Sequence, residues 1–303
     1  MRGAFSDALV RLARSDPNVL LLTGDHGYAL FDDFRHHCPS QYINAGIAEQ
    51  NMVGMAAGLA RGGFRPFVYG LSAFVPIRVL EQIKLDIAHD ELPVVLLGDG
   101  AGFVYSHLGT SHQSTEDIAA TRVIPNLSVL SPCDRHEMTW ALETAFAMRS
   151  SVYLRMGKSD RGDVHGGPVE LTIGQPIRVR AGKGPVAVLA TGSMVISALD
   201  VVASVVPDAS VYSCPSIKPL DTSAIVQICR SHRALVVLEE HSVHGGLGGL
   251  IAEISSAEVP VRILRIGVED RFSQHCGTYA YLLREHGLDN EAIATRIRAF
   301  LDI

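Results

Sequence analysis

The sequence predicts an α/β protein with two doubly wound domains, each a mostly parallel sheet that helices cover on both faces. Short apolar runs that end in glycine, proline or polar residues alternate with helical patterns, as buried parallel strands do. The alternation occurs twice and is interrupted once, by a stretch rich in glycine, proline, arginine and aspartate. A length of 303 residues, of which 47% are hydrophobic, is sufficient for two cores of ordinary size.

The first alternation predicts a domain at residues 1–160. Its apolar runs predict strands at about 19–22, 42–43, 67–69, 94–97, 129–130 and 152–154. The helical patterns between them predict helices at about 3–14, 47–61, 74–89 and 135–149. We expect these strands to lie side by side in one sheet covered on both faces, because buried strands that alternate with helices are typical of a parallel sheet.

A segment at 161–184 separates the two alternations and is predicted to be a linker or an edge hairpin, because its periodicity is weak. The second alternation predicts a domain at residues 185–303. Its strands are expected at about 186–190, 210–212, 235–238 and 261–264. Its helices are expected at about 193–206, 222–231, 246–256 and from about 289 onward.

Composition narrows the class of protein. The net charge is −6 and lysine and arginine are scattered among acidic residues, so we do not expect a nucleic-acid partner. No apolar run approaches the ~20 residues that span a bilayer, and the N-terminus lacks a continuous signal-peptide core, which predicts a cytoplasmic protein with no membrane partner. The five cysteines are widely spaced and never form Cys-x-x-Cys, so we expect reduced thiols, without disulfides or a structural zinc site.

Glu49 is the residue that most needs an explanation. It follows the strand-like run at 41–43 and opens an apolar, small-residue helix, where an unpaired carboxylate is costly. One interpretation places Glu49 at the surface, where it gains about 0.3–1 kcal/mol from the positive end of the helix dipole. The other gives Glu49 a partner near the core and a chemical role.

The run Gly-Ile-Ala-Glu-Gln at 46–50 resembles the motif with which transketolases and their relatives bind the aminopyrimidine ring of thiamine diphosphate. The resemblance implies that Glu49 hydrogen-bonds ring nitrogen N1′ and promotes proton transfer at the cofactor, with Ile47 in the same cofactor site. The run Phe-x-x-x-Arg-x-x-Glu-Gln that starts at Phe74 is similar to the family's aromatic clamp. It implies that Phe74 stacks on the pyrimidine and that Arg78 belongs to the same site. Without the resemblance, Phe74 is interpreted as an ordinary core ring.

A glycine-rich turn at 98–102 follows a buried strand, which places the next loop at the carboxyl edge of the sheet, where α/β proteins bind ligands. In that loop, Gly-Thr-Ser-His-Gln at 109–113 resembles the family's Gly-x-Thr-His-Gln loop and implies a proton-transfer role for His112. Without the resemblance, a loop histidine is interpreted as a solvated side chain. Leu108 stands where microbial transketolases carry an aspartate that contacts a substrate hydroxyl, so acceptor recognition departs from the family here.

Three further residues are predicted to face the substrate. His26 occupies the loop after the first strand, which we expect to border the same cleft, and His107 adjoins the Leu108 departure. Arg155 falls near the family's phosphate-contacting arginine, after the last strand of the first domain. Apart from the resemblance, a single arginine that ends a strand is interpreted as a surface charge.

We predict no metal ligands in this chain. Asn126 follows Gly98-Asp99-Gly100 at a spacing close to the motif that holds magnesium and diphosphate in thiamine enzymes, but Asn126 precedes a predicted strand where that motif requires it to follow one. The Glu49 motif leaves no room upstream for a further domain of about 150 residues. We therefore expect Mg²⁺ and the diphosphate to be held by a separate polypeptide.

The second half resembles the same family, through runs at 192–193, 217–221, 239–241 and 245–248 that match the transketolase C-terminal domain. The resemblance implies the C-terminal subunit of a split transketolase, paired with an N-terminal subunit in an α2β2 heterotetramer that also self-dimerises. It further implies that thiamine diphosphate carries a two-carbon ketol unit from a ketose or ketose phosphate to an aldose. Three alternatives stay open: a deoxyxylulose-phosphate-synthase-like enzyme, the beta subunit of a 2-oxo-acid dehydrogenase, and a non-catalytic assembly subunit.

Overall fold

The computed structural model describes residues 1–158 and 160–302 and contains two sheets. The strands are β1 Val19–Thr23, β2 Tyr42–Asn44, β3 Arg65–Leu71, β4 Val95–Asp99, β5 Leu127–Leu130, β6 Ser151–Met156, β7 Ile177–Arg180, β8 Val186–Ala190, β9 Ser210–Ser213, β10 Ser216–Lys218, β11 Ala234–Ser242 and β12 Arg262–Val268. The helices are α1 Arg2–Ser15, α2 Asp32–His37, α3 Glu49–Arg61, α4 Leu80–Gln82, α5 Asp117–Arg122, α6 Arg135–Ala147, α7 Met194–Val205, α8 Thr222–Ser231, α9 Leu247–Glu258, α10 Tyr279–Glu285 and α11 Asn290–Leu301.

The first sheet has seven strands in the order β10-β5-β6-β4-β3-β1-β2. Six of them are parallel, and β10 pairs antiparallel with β5 at one edge. Residues alternate between the two faces of a strand, so Leu22 packs against α3 on one face while Leu21 packs against α1 and α6 on the other. Helices therefore cover both faces, as buried parallel strands require.

The second sheet has five strands in the order β12-β11-β8-β9-β7, with β7 antiparallel at the edge. Helices α7 and α11 pack on one face. Helices α8 and α9 pack on the other, and their apolar side chains belong to the same buried cluster as those of α3. The two halves of the chain therefore share one continuous apolar core.

The predicted fold class is confirmed, and each predicted strand is present. The structure adds three short helices that the sequence analysis missed, α2, α5 and α10, each of six or seven residues. Such helices span fewer than two turns, so they show too little of the 3.6-residue period to be recognised. Among the described residues, no helix is both long and apolar enough to cross a membrane.

Two predicted elements differ in the structure. The helix predicted at about 74–89 begins after Pro76 and consists of a 3₁₀ turn (Ile77–Val79), α4 and a π-helical stretch (Ile83–Ala88). Proline lacks the N–H that an interior helical position needs, which explains the later start. The segment at 161–184 contributes a single edge strand, β7, which pairs with the distant β9 and forms no hairpin.

Candidate active site

Four of the predicted site residues follow neighbouring parallel strands of the first sheet. His26 follows β1, Glu49 follows β2, Phe74 follows β3 and His112 follows β4. The carboxyl ends of parallel strands meet at one edge of the sheet, which is where open α/β folds bind ligands. The structure therefore brings these side chains to the same edge.

Glu49 is the first residue of α3, and its side chain is only 8% exposed. Its Oε2 accepts a hydrogen bond from Nη1 of Arg78 at 3.0 Å. The interpretation of Glu49 as a surface charge that gains only from the helix dipole is therefore wrong. A charge-assisted hydrogen bond compensates a buried carboxylate in a way that the dipole alone does not.

Phe74 is the centre of the candidate site. The Arg78 guanidinium carbon lies 4.0 Å from the centroid of the Phe74 ring, within the range of a cation–π contact. The His112 ring meets Phe74 edge to face, with centroids 5.3 Å apart, and the His26 ring lies 6.1 Å away. A carboxylate, an arginine, an aromatic ring and two imidazoles thus form one group, which we call the Phe74 cluster (His26, Glu49, Phe74, Arg78 and His112).

The His112 loop has its own local support. A 3₁₀ turn (Thr110–His112) carries the ring, and Ser111 Oγ lies 2.9 Å from His112 Nδ1. Gly109, which precedes the turn, has φ = +80°, a conformation that glycine adopts without strain. Two imidazoles and a carboxylate within one cluster are groups that exchange protons, so the cluster can support general acid–base chemistry.

Ile47 and His107 lie at the border of this group. Ile47 is 75% exposed, two residues before Glu49, which is an unusual position for a large apolar side chain. His107 is exposed on a turn (Ser106–Leu108) and is outside the ring contacts that join the Phe74 cluster. Its proposed substrate role depends on a ligand that extends beyond that cluster.

The prediction that Arg155 contacts substrate is wrong for the described structure. Its side chain is 2% exposed, and Nε donates to Asp117 Oδ2 at 2.7 Å. Nη2 donates to the carbonyl of Glu240 in β11 at 2.8 Å, so the guanidinium links the two sheets. An arginine that is buried and paired in this way has no surface to offer a phosphate.

Asp99 and Asn126 lie at opposite ends of the parallel strands of the first sheet. Asp99 ends β4, whereas Asn126 precedes β5, and the two strands run parallel within one sheet. These two residues therefore cannot ligate the same ion. Asp99 instead accepts hydrogen bonds from Arg2 at 2.5 Å, Tyr69 at 2.7 Å and Tyr105 at 2.9 Å.

The Asp99 network was not predicted, since its members are far apart in sequence. Burial and the adjacent Asp99 carboxylate raise the pKa of Tyr69 well above its ordinary value. Tyr69 therefore stays a neutral hydrogen-bond donor to Asp99 over the physiological range. The network ties α1 to the edge of the sheet that holds the Phe74 cluster.

Cys133, Glu137 and His165 form a second group of titratable side chains, with potential ligand atoms within 4.8 Å of one another. Glu137 already accepts hydrogen bonds from the Cys133 N–H at 2.7 Å and from His165 Nε2 at 3.0 Å. Asp134 accepts from the backbone N–H groups of Val164 and His165. These contacts fasten the segment before β7 to α6, which is a structural role.

Substitution of His165 with glutamine is expected to change how stability depends on pH. The hydrogen bond to Glu137 raises the pKa of His165 above its ordinary 6.5. A raised folded-state pKa contributes stability that is complete below about pH 6.5 and is lost as the pH rises through the folded-state value. Wild type and His165→Gln should therefore differ in free energy of unfolding at about pH 5.5, and should converge towards about pH 8.5.

Urea unfolding at several pH values checks this expectation. The exposed His244 offers a matched control, and His244→Gln should follow the wild-type profile. A gap between wild type and His165→Gln that stays constant with pH would show that His165 contributes through packing and not through its charge.

Comparison with known proteins gives an independent result. The family model described as the pyrimidine binding domain of transketolase matches residues 1–162. The model described as the C-terminal domain of transketolase matches residues 176–293. One of the two subunits of an apulose-4-phosphate transketolase from Phocaeicola vulgatus is 34% identical over 306 residues, which cover 99% of this chain and 97% of that protein.

Two further comparisons differ in how much of the other protein is matched. A solved structure described as a split gene transketolase, inactive beta4 tetramer, has a TM-score of 0.89 and 32% identity, and the match covers 99% of this chain and 97% of that one. 1-Deoxy-D-xylulose-5-phosphate synthase from Thioalkalivibrio sulfidiphilus is 35% identical over 98% of this chain but only 46% of its own length. The full-length matches are thus to split transketolase chains.

Proposed function

The chain belongs to the transketolase family, and we propose from this premise that it is the C-terminal subunit of a split transketolase. Its reaction would transfer a two-carbon ketol unit from a ketose or ketose phosphate to an aldose acceptor. The observation that carries the proposal is the Phe74 cluster, in which Glu49 is buried beside an aromatic ring and within one contact of His112. The sugar that is transferred is not specified by these contacts.

The cluster fits the aminopyrimidine ring of thiamine diphosphate, on which transketolases depend. Glu49 Oε2 is bonded to Arg78, whereas Oε1 makes no hydrogen bond within the described residues and is free to bond a ring nitrogen. Phe74 is half-buried and offers its flat ring to a heterocycle. Thiamine diphosphate, when bound, supplies the electron sink that stabilises a carbanion.

The residues of this chain divide the remaining work. Glu49 holds a proton between its carboxylate and the bound ring nitrogen, and Arg78 keeps that carboxylate in place. Phe74 fixes the plane of the ring. His112 donates and accepts protons on the substrate side, and His26 and His107 contribute polar groups for sugar hydroxyls.

We further propose that a partner subunit completes the site. It would be an N-terminal transketolase subunit that holds Mg²⁺ and the diphosphate, in an α2β2 assembly in which this chain also self-dimerises. Two findings support this: the relative from P. vulgatus is named as a subunit and has nearly the same length, and the similar solved structure is described as an inactive tetramer of beta chains. Ile47, which is 75% exposed beside Glu49, supports a covered site because a partner would remove it from water.

Reconstitution tests the proposal. The chain alone should show no ketol transfer, and turnover should appear when the partner subunit, thiamine diphosphate and Mg²⁺ are added together. A ketose phosphate donor should support the reaction and pyruvate should not. Turnover with pyruvate in place of the ketose would favour the synthase-like or oxo-acid-dehydrogenase-like alternatives.

Calorimetry separates a catalytic subunit from an assembly subunit. Thiamine diphosphate with Mg²⁺ should bind to the complex, and the affinity should depend on residues of this chain. An affinity that no substitution in the Phe74 cluster alters would indicate that this chain only assembles with its partner.

Phe74→Leu is expected to weaken binding of thiamine diphosphate to the complex. Leucine keeps an apolar side chain but loses the flat face, so we expect Kd to rise about three- to tenfold, the factor that an aromatic pair is worth beyond its area. Phe300→Leu is the matched control, because Phe300 is also half-buried beneath an arginine, with the Arg262 guanidinium carbon 4.7 Å from its ring centroid, on a distant helix. Titration calorimetry measures both, and equal Kd values for the two variants would contradict the stacking role of Phe74.

A further inference from the structure

The residue after His112 is held by the other half of the chain. Gln113 is 7% exposed, and its Oε1 accepts a hydrogen bond from Ser273 Oγ at 2.8 Å. Ser273 Oγ also lies 2.9 Å from Nε2 of His286. Ser273 lies between β12 and α10, and His286 directly follows α10, so both belong to the second sheet and its helices.

The direction of these two hydrogen bonds follows from the donors that are present. A serine hydroxyl has one proton, and the amide oxygen of Gln113 can only accept, so Ser273 donates to Gln113. Ser273 must then accept from His286, which requires the proton on Nε2. His286 Nδ1 is buried without a partner among the described residues, which suits a neutral ring with no hydrogen on that atom. The chain His286–Ser273–Gln113 is thus a directed relay.

A second connection supports the same loop from its other side. The backbone of Gly102 pairs with that of Ser114, with N···O distances of 2.8 and 3.0 Å. Phe103, next to Gly102, stacks on the His286 ring with centroids 4.7 Å apart. The Phe103 N–H donates to the Glu240 carboxylate of β11 at 2.7 Å. His286 is therefore linked to both strands of the short bridge that leads to His112.

We propose that Ser273 and His286 are positioning residues that hold the His112 loop against the Phe74 cluster. Neither residue touches that cluster, and their effect passes through Gln113, the neighbour of His112. The proposal rests on the proposed function, since His112 matters only if the cluster is an active site. It gives the second half of the chain a role in turnover in addition to assembly.

Two variants test the proposal: Ser273→Ala removes the relay hydroxyl, and His286→Phe keeps a ring against Phe103 while it removes the Nε2 donor. Hydrogen exchange of the isolated chain, read by mass spectrometry, should rise about fivefold in peptides covering 109–114, the factor that one neutral hydrogen bond is worth. Exchange in β5 should not change. In the reconstituted complex, kcat should fall about tenfold because the reacting groups are misplaced, while KM changes by less than about twofold.

Two further variants complete the experiment. Ser273→Thr keeps the hydroxyl and should restore both measurements. Ser256→Ala is the matched control, because Ser256 is exposed on α9 and bonds only within its own helix, to the Glu253 carbonyl. Unchanged exchange at 109–114 in Ser273→Ala would overturn the proposal, as would a rise that includes β5, or a local rise with wild-type kcat. If the wild-type complex shows no ketol transfer, the proposed function fails, and the exchange data still decide whether the relay holds the loop.

Discussion

Glu49→Gln is expected to lower kcat of the reconstituted complex about a thousandfold, in the middle of the range for removal of a general acid–base group. Glutamine keeps the size of the side chain and can still accept the hydrogen bond from Arg78 Nη1. It cannot carry the negative charge that holds a proton at a bound ring nitrogen. The loss should therefore appear in turnover, and the folded structure should be retained.

Steady-state assays with saturating thiamine diphosphate measure this loss, and thermal unfolding verifies that the variant folds. Glu143→Gln is the matched control, since Glu143 is 57% exposed on α6 and pairs with Arg11 only at 3.6 Å. Glu143→Gln should retain wild-type kcat. A Glu49→Gln complex that turns over at the control rate would remove the main support for a thiamine-dependent reaction at this site.

The position of the Phe74 cluster could be predicted from the sequence because it depends on local patterns. Continuous apolar runs indicate buried parallel strands, and the carboxyl ends of such strands meet at one edge. Glu49, Phe74 and His112 each follow one of those runs, so their proximity follows from the order of strands. The contact of Arg78 with both Glu49 and Phe74 adds detail that the resemblance alone did not supply.

Contacts between residues that are distant in sequence could not be predicted in the same way. Arg155 ends a strand, and its exposure depends on Asp117 and on Glu240, which is 85 positions further along the chain. Asp117 opens α5, a helix too short to show a period. The relay from His286 to Gln113 also joins the two halves of the chain. Pairings of this kind depend on how the two sheets pack and leave no signal in a single sequence.

The buried pair of Arg155 and Asp117 is expected to dominate the stability of the junction between the two sheets. Asp117 is fully buried, and its Oδ2 accepts from Arg155 Nε and from the Tyr153 hydroxyl, each at 2.7 Å. Burial acts to lower the pKa of Arg155, but the attraction of Asp117 outweighs it and the pKa is raised. The guanidinium therefore stays charged in the core, and it depends on a single carboxylate.

Asp117→Asn is accordingly expected to lower the free energy of unfolding by about 3–5 kcal/mol, the cost of leaving one member of a buried pair without its counter-charge. Asparagine has nearly the shape of aspartate, so the loss reports the charge and not a cavity. Glu253→Gln makes the same change in an exposed pair, because Glu253 is 60% exposed beside Arg122, and we expect it to cost less than about 1 kcal/mol.

Urea unfolding at neutral pH measures both variants, and the dependence on denaturant should remain that of the wild type. Because Arg155 also donates to the Glu240 carbonyl, loss of the pair should loosen the contact between β6 and β11. Hydrogen exchange should then rise in both strands of Asp117→Asn but in neither strand of Glu253→Gln. A loss below about 1 kcal/mol for Asp117→Asn would mean that water or the Ser114 carbonyl, 3.5 Å from Arg155 Nη2, compensates the charge. Arg155 would then be accessible enough to be reconsidered as a phosphate ligand.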